Sequence, residues 1–248
     1  MPLWVWNDEM DWARMKEQLA QFKAQGMGGV FVHPRPGLMT EYLGDEWFRL
    51  WKMSAEEGKR LGILVNIYDE NSYPSGFAGG HVPASAPETA AQYVQVEMDA
   101  DPSTMFQRRG ISVAFFAVRK DDKGGIADAK RVYSAREIPS GYTLAACRLR
   151  RASGNPWTGE FPYVDLTNPQ TTPRFLETTY EQYKSHVGAE FGRTVKWAFT
   201  DEPLLATGGA YDQARLALPL SYNTLSEFRR RNGYDLADHL LSLYWDTG

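Results

Sequence analysis

The chain has 248 residues, 43% of them hydrophobic and 23% charged, which is enough for one large α/β domain or two small ones. A formal net charge of −4 gives no electrostatic reason to expect nucleic acid or an anionic membrane as a partner. The single cysteine, Cys147, excludes an internal disulfide and a cysteine-based zinc site.

No stretch of the sequence approaches the ~20 consecutive apolar residues of a membrane span. The first residues are typical of a strand, and no basic, apolar leader precedes them. We therefore expect no signal peptide, and a cytoplasmic location if Met1 is the true start.

The first 70 residues alternate short apolar strands with amphipathic helices. The pattern predicts strands at residues 3–6, 30–32 and 63–68. It predicts one helix over residues 9–25 and a second that begins at Gly44, followed by acids that suit the positive end of a helix dipole. Three rounds of strand and helix indicate βαβ units and a parallel sheet.

From residue 93 the helical period is replaced by short alternating runs. These predict strands at residues 93–98, 111–119, 131–134 and 143–148. We interpret residues 92–162 as an antiparallel β insertion, carried by the Gly-, Pro- and Ser-rich loop that follows the third strand.

The α/β pattern resumes in the last third of the chain. A helix is predicted to start at Asn168-Pro169, and a buried strand over residues 194–199 ends at two adjacent acids and a proline. A glycine-rich loop at residues 207–210 precedes a helix capped by Ser221, and residues 236–244 are typical of a final helix.

These elements predict an α/β fold of the (β/α)8 TIM-barrel type, of which the chain carries the first four βα units. The predicted divisions are residues 1–91, 92–162 and 163–248. Four parallel strands would leave an open edge. We therefore expect the chain to be the first half of a longer polypeptide, or to close by pairing with another chain.

Polar side chains follow each of the four predicted parallel strands. Because parallel strands deliver their carboxyl ends to one face, we expect these side chains to converge there. They are Trp6 and Asn7 at the end of the first strand, His33 and Arg35 at the second, Tyr68, Asp69, Glu70 and Asn71 at the third, and Asp201 and Glu202 at the fourth.

Carboxylates, a histidine, an arginine and abundant aromatics suit glycoside hydrolysis, which needs a protonated carboxyl beside the leaving oxygen. We expect Glu202 to be the general acid, because adjacent Asp201 and a hydrophobic strand would favour its protonated form. Asp201 could instead bind a cation. The other strand-end polar groups would contact sugar hydroxyls, with Trp6 and Tyr73 as stacking surfaces. The sequence has no P-loop, Gly-x-Ser-x-Gly elbow or His-Glu-x-x-His motif.

Four stretches at the strand ends form a set, namely Trp4-Val5-Trp6-Asn7, Gly28-Gly29-Val30-Phe31-Val32-His33-Pro34-Arg35, Tyr68-Asp69-Glu70-Asn71 with Tyr73-Pro74-Ser75-Gly76, and Phe199-Thr200-Asp201-Glu202-Pro203. The set resembles the catalytic barrel of bacterial α-L-rhamnosidases of glycoside hydrolase family 106 and close relatives, from Met1 to about Tyr244. The resemblance implies a calcium-assisted, inverting reaction on polysaccharide, no organic cofactor, and longer chains with β-sandwich modules. It carries over Glu202 as a catalytic carboxylate and the other groups as binding residues.

Two alternatives remain open from the sequence. One is a non-catalytic carbohydrate-binding or structural half-barrel module, which would bind sugar without turnover. The other is a retaining barrel glycosidase of another family, since Asp-Glu-Pro is similar to the Asn-Glu-Pro of many such enzymes. A half barrel with a structural role would instead dock with a partner.

Overall fold

A computed structural model describes residues 1–105, 111–205 and 217–247. The chain forms two compact units, one of residues 1–89 with 154–204 and the other of residues 90–153 with 205–248. The three divisions expected from the sequence stay a prediction, and the predicted glycine-rich loop at 207–210 lies outside the described residues.

The first unit is built on a four-stranded parallel sheet in the order β1-β2-β3-β8. The residue pairing places Trp6 opposite Pro34 and Tyr68 opposite Phe199, so the carboxyl ends of neighbouring strands lie at one edge. The strands are β1 (Leu3–Trp6), β2 (Gly29–Pro34), β3 (Leu64–Tyr68) and β8 (Ala198–Phe199).

Five α-helices belong to this unit: α1 (Trp12–Ala24), α2 (Asp45–Leu61), α3 (His81–Ser85), α4 (Thr171–Thr178) and α5 (Tyr180–Val187). The α1 helix begins where the Asp11 carboxylate accepts the Arg14 N–H at 3.0 Å, and α2 begins at the predicted cap, Gly44. In the part of the chain that the structure describes, no helix combines the length and apolarity needed to cross a membrane.

The core of the first unit lies on one face of the sheet. Trp4 and Trp6 alternate with exposed residues along β1 and turn towards this core, as the two-residue period of a strand requires. Trp47 and Trp51 of α2 are fully buried against the same cluster, and Gly58 of α2 lies so close to β3 that an added Cβ would come within 2.6 Å of Val65. Close packing of helix on strand therefore holds the carboxyl ends of the sheet in place.

The helix predicted to start at Asn168 is broken into α4 and α5 at Thr179. Thr179 has φ −109° and ψ −75°, and its hydroxyl donates to the Phe175 carbonyl at 2.6 Å. Because of this break, Tyr180 is the first residue of α5, and its hydroxyl donates a hydrogen bond to Asp69.

The prediction of the first four βα units of a (β/α)8 barrel is wrong. The parallel strands form one open sheet, in which, among the described residues, β1 pairs only with β2 and β8 only with β3. The predicted buried strand at residues 194–199 shrinks to the two residues of β8, and Trp197 is 57% exposed. The βα alternation specifies local parallel pairing, whereas barrel closure depends on the number, tilt and stagger of strands far apart in sequence.

The second unit is an antiparallel five-stranded sheet. Its strands pair in the order β6 (Ile126–Arg131), β5 (Ile111–Lys120), β7 (Thr143–Arg151), β4 (Gln92–Ala100) and β9 (Ala217–Leu218). The helix α6 (Tyr222–Asn232) and a 3-10 helix (Leu236–Leu243) pack on this sheet. The predicted strands at 93–98, 111–119 and 143–148 lie within β4, β5 and β7. The strand predicted at residues 131–134 is observed earlier in the chain, as β6. Its Ala, Asp and Lys residues have low strand propensity, so the strand forms because it pairs with β5.

Candidate functional site

The loops after β3 and β8 are joined at the carboxyl edge of the parallel sheet by Ser75. The Ser75 N–H donates to the Asp201 carbonyl at 2.9 Å, and its Oγ accepts the Asp201 N–H at 2.8 Å. The same Oγ donates to Asp69 Oδ1 at 2.6 Å. Ser75 therefore fixes the two predicted carboxylate-bearing segments against each other, a role that the sequence alone did not indicate.

Asp69 is buried and accepts three hydroxyl hydrogen bonds. Besides Ser75, Tyr180 Oη and Thr200 Oγ1 each donate to Asp69 Oδ2 at 2.7 Å. Burial raises the pKa of Tyr180, and its hydrogen bond to Asp69 acts in the same direction, so its hydroxyl remains a donor. Asp69 is thus the anchor of a buried network, and its oxygens are already engaged by protein groups.

Two adjacent carboxylates each accept a hydrogen bond from a tyrosine. Tyr68 Oη lies 2.6 Å from Asp201 Oδ2, and Tyr73 Oη lies 2.5 Å from Glu202 Oε2. Burial, and then the hydrogen bond to Asp201, raises the pKa of Tyr68; the hydrogen bond to Glu202 raises the pKa of Tyr73. The predicted pair Asp201–Glu202 is therefore held by two protonated phenols.

Glu202 lies in an exposed position and takes an unusual backbone conformation. Its φ is +39°, in the left-handed region that costs a non-glycine residue about 1–3 kcal/mol. The hydrophobic strand that we expected to bury this carboxyl does not do so. Strain of this kind is typical of residues whose position serves a function.

His33 lies at the end of β2, 1% exposed, with its ring edge against Tyr68 at a centroid separation of 3.8 Å. Neither ring nitrogen has a hydrogen-bond partner among the residues described. Burial lowers the pKa of His33 to about 4, and the Arg35 charge adds to the effect. The imidazole is therefore neutral near pH 7. Arg35, half-buried, donates its backbone N–H to the Trp6 carbonyl at 3.0 Å.

Glu70 is fully buried and organises the loop that follows it. Gly76 and Gly79, with φ of 133° and 59°, let the backbone curl around the carboxylate. Burial raises the pKa of Glu70 to about 8, and hydrogen bonds from the backbone oppose that rise. The backbone N–H groups that donate to it are those of Asn71, Gly76, Phe77, Ala78 and Gly79.

This arrangement buries five of the predicted binding residues, which are at most 1% exposed: Trp6, His33, Tyr68, Asp69 and Glu70. The oxygens of Glu70 are engaged by the loop backbone, and the side chain of Trp6 is buried in the core. The Trp6 ring packs edge-on against Trp4 and Trp47 at 5.3 and 4.8 Å, so no sugar can stack on it. Asn71 is half-buried beside Glu70. In the sequence, the glycines between residues 76 and 80 are the feature from which the tight loop around Glu70 could have been predicted.

A cleft of about 370 Å³ opens beside the Asp69 network. Sequence reasoning missed it, because α4, α5 and the loops that line it are distant in sequence. It is bordered by Asp69, Ser75, Gly76, Leu166, Thr172, Phe175, Leu176, Tyr180, Thr200 and Pro203.

The calcium ion implied by the family resemblance has no fitting ligand set in residues 1–105, 111–205 and 217–247. No group of three or more His, Cys, Asp or Glu side chains there could hold a metal ion. The donor set that Ca²⁺ prefers, six to eight oxygens, is not assembled around Asp201 and Glu202 by the described side chains.

No known family model matches the chain, and no curated protein matches it in sequence. Among solved structures it is similar to a rhamnosidase from Novosphingobium sp. PP1Y, with a TM-score of 0.55 and 12% sequence identity. The match covers 97% of this chain and 41% of the rhamnosidase chain, so this chain spans about two-fifths of that relative. The likeness is one of fold, and nothing in it assigns the chain to glycoside hydrolase family 106.

Proposed function

We propose that this chain is a glycoside hydrolase-like segment that cleaves a glycosidic bond at Asp201–Glu202. The observation that carries the proposal is the pair of adjacent carboxylates after β8, each held by a tyrosine hydroxyl at the carboxyl edge of a parallel sheet. The fold likeness to a rhamnosidase supports the same class of reaction.

Glu202 is the general acid in this proposal and protonates the leaving oxygen of the glycoside. Its exposure lets substrate reach it, and Tyr73 orients its carboxyl group. Asp201 acts as a positioning residue, because Tyr68 holds its carboxylate and Ser75 holds its backbone at both the N–H and the carbonyl.

The sugar would be held by groups around this pair. Arg35, Asn71 and Tyr73 are the predicted binding residues that stay half-buried near the strand ends, and an α-L-rhamnoside is the first substrate to test, given the fold likeness. Asp69 and Glu70 serve the framework, because their oxygens already accept hydrogen bonds from protein groups. An inverting course would need a second carboxylate across the sugar ring.

Replacement of the general acid tests this proposal. We expect Glu202→Gln to lower kcat on methyl α-L-rhamnoside, whose alkoxide leaving group must be protonated, by about 10²–10⁴-fold, the usual contribution of a positioned acid. Circular dichroism should show an unchanged fold, because the side chain is exposed. Glu56→Gln is the matched control, since Glu56 is an exposed acid on α2, and it should retain wild-type turnover. Near-wild-type turnover by Glu202→Gln would refute the assignment.

Carbohydrate binding without turnover is a second candidate. One observation favours it. Among the described carboxylates at the strand ends, Asp69 and Glu70 already accept hydrogen bonds from protein groups, so neither is free to act as the second carboxylate of a hydrolase. This candidate predicts saturable binding of the glycoside by calorimetry, with equal affinity in Glu202→Gln and no product in either protein.

A further inference from the structure

The cleft beside Asp69 lies next to the segment that carries the candidate acid. Its rim includes Thr200 and Pro203, the residues that immediately flank Asp201 and Glu202. A general acid donates its proton to the leaving oxygen, so the leaving group lies next to the acid. Because Thr200 and Pro203 bracket the two acids in the chain, the cleft borders the segment that carries Glu202.

One wall of the cleft is a face of α4. Thr172, Phe175 and Leu176 lie three and four residues apart, the spacing of side chains on the same face of a helix. Leu176 is 44% exposed although it is large and apolar, whereas Phe175 is 8% exposed and packs into a core cluster with Phe77. Leu176 thus offers apolar surface to the cleft without supporting the core.

The floor of the cleft has no free ionic group. Asp69 is the charged residue of the lining, and its oxygens accept hydrogen bonds from Ser75, Tyr180 and Thr200. A ligand rich in hydroxyl groups would lose hydration there and find the Asp69 oxygens already engaged. An apolar ring would instead gain about 25 cal/mol for each Å² of apolar surface removed from water.

We propose that this cleft is the leaving-group subsite and that it accepts an apolar ring, such as an aryl group, rather than a second sugar. The proposal rests on the proposed glycosidase function for the assignment of the leaving-group side. Leu176 and Phe175 form the apolar wall of the subsite, and Pro203 connects it to the carboxylates.

Leu176→Asp tests the subsite through turnover. With a 4-methylumbelliferyl α-L-rhamnoside, kcat/KM should fall about tenfold, the loss expected when apolar contact in a pocket is removed. With methyl α-L-rhamnoside, whose leaving group does not reach the cleft, kcat/KM should stay unchanged. Leu243→Asp, a leucine of similar exposure (48%) in the other unit, should leave both values at the wild-type level. An equal fall for both substrates, or no fall for the aryl substrate, would overturn the proposal.

Binding of the free aryl alcohol tests the subsite without turnover. Calorimetric titration with 4-methylumbelliferone should show saturable binding to the wild type and to Leu243→Asp, and about tenfold weaker binding to Leu176→Asp. Equal affinity in the three proteins, or no binding to the wild type, would overturn the proposal. If the wild type cleaves neither glycoside, the glycosidase function fails, and this titration alone still decides whether the cleft binds an apolar ring.

Discussion

At the scale of single residues, the structure separates the predicted site residues by what their polar atoms contact. Asp201 and Glu202 each keep one oxygen bonded to a tyrosine, whereas Asp69 accepts three hydroxyl donors. His33 is the opposite case, a buried imidazole whose nitrogens have no partner within the described parts of the chain. Burial without a partner makes its charged form costly, and that cost has a measurable consequence.

Stability should depend on pH through His33. Its pKa in the fold is about 4, below the ordinary 6.5, so the unfolded chain binds the proton first. The contribution of neutral His33 to the free energy of unfolding is therefore present in full above about pH 6.5. It is lost as the pH falls towards 4, by up to about 1.4 kcal/mol per pH unit. We expect His33→Phe, which keeps a ring against Tyr68, to lose less stability than the wild type between pH 7 and pH 5 in urea unfolding.

The exposed His239 provides the control for this measurement. His239→Phe should show the same acid-dependent loss of stability as the wild type. If His33→Phe also loses stability on acidification as steeply as the wild type, the lowered pKa of His33 is not the cause.

At the scale of elements, the loop after β3 is held by a side chain instead of by regular backbone pairing. Backbone N–H groups of residues 76–79 converge on the Glu70 carboxylate, and the loop in turn carries Tyr73 and Ser75, which contact Glu202 and Asp201. The geometry of the candidate site thus depends on a buried residue that need not touch any ligand.

Glu70→Gln should destabilise the first unit. Above about pH 8, where Glu70 is ionised, the amide NH₂ would face backbone N–H donors, and each lost hydrogen bond to a charged acceptor is worth about 1.5–3 kcal/mol. We expect a loss of that order in the free energy of unfolding, with faster hydrogen exchange at Gly76 and Ala78. Glu88→Gln, at an exposed position, should stay within about 0.5 kcal/mol of the wild type. Unchanged exchange at Gly76 and Ala78 in Glu70→Gln would contradict the role given to Glu70.

At the scale of the whole molecule, the core of the first unit covers one face of the parallel sheet. Apolar side chains lie on the other face. Leu3 and Val5 of β1 are 41% and 43% exposed, and Phe31 and Phe199 contact each other, edge to face, on the same side of the sheet at a centroid distance of 5.8 Å. Apolar side chains grouped on an exposed sheet face favour association between molecules.

We expect the isolated chain to self-associate through this face. Val5→Lys, which places a charge on the β1 side of this face, should shift the sedimentation coefficient distribution towards the monomer at the same protein concentration. Ile111→Lys removes a more exposed apolar side chain (64%) from the other unit and should leave the distribution unchanged. An identical distribution for Val5→Lys and the wild type would exclude this face as the contact.

The sequence by itself determined the local elements and the position of the acids in the chain. Periodicity placed β1, β3 and α2 close to their observed bounds, and the caps at Gly44 and Ser221 were predicted from local chemistry. These features depend on neighbouring residues, so a short window of sequence contains their cause.

Only the tertiary structure decided what those acids contact and how the strands assemble. Burial of Glu70 and Trp6, exposure of Glu202, the apolar cleft beside Asp69 and the open sheet all result from contacts between segments such as 69–80, 172–180 and 200–203. Side chains so distant in the chain share no local pattern. Their hydrogen bonds and solvent exposure follow from packing, which no short stretch of sequence encodes alone.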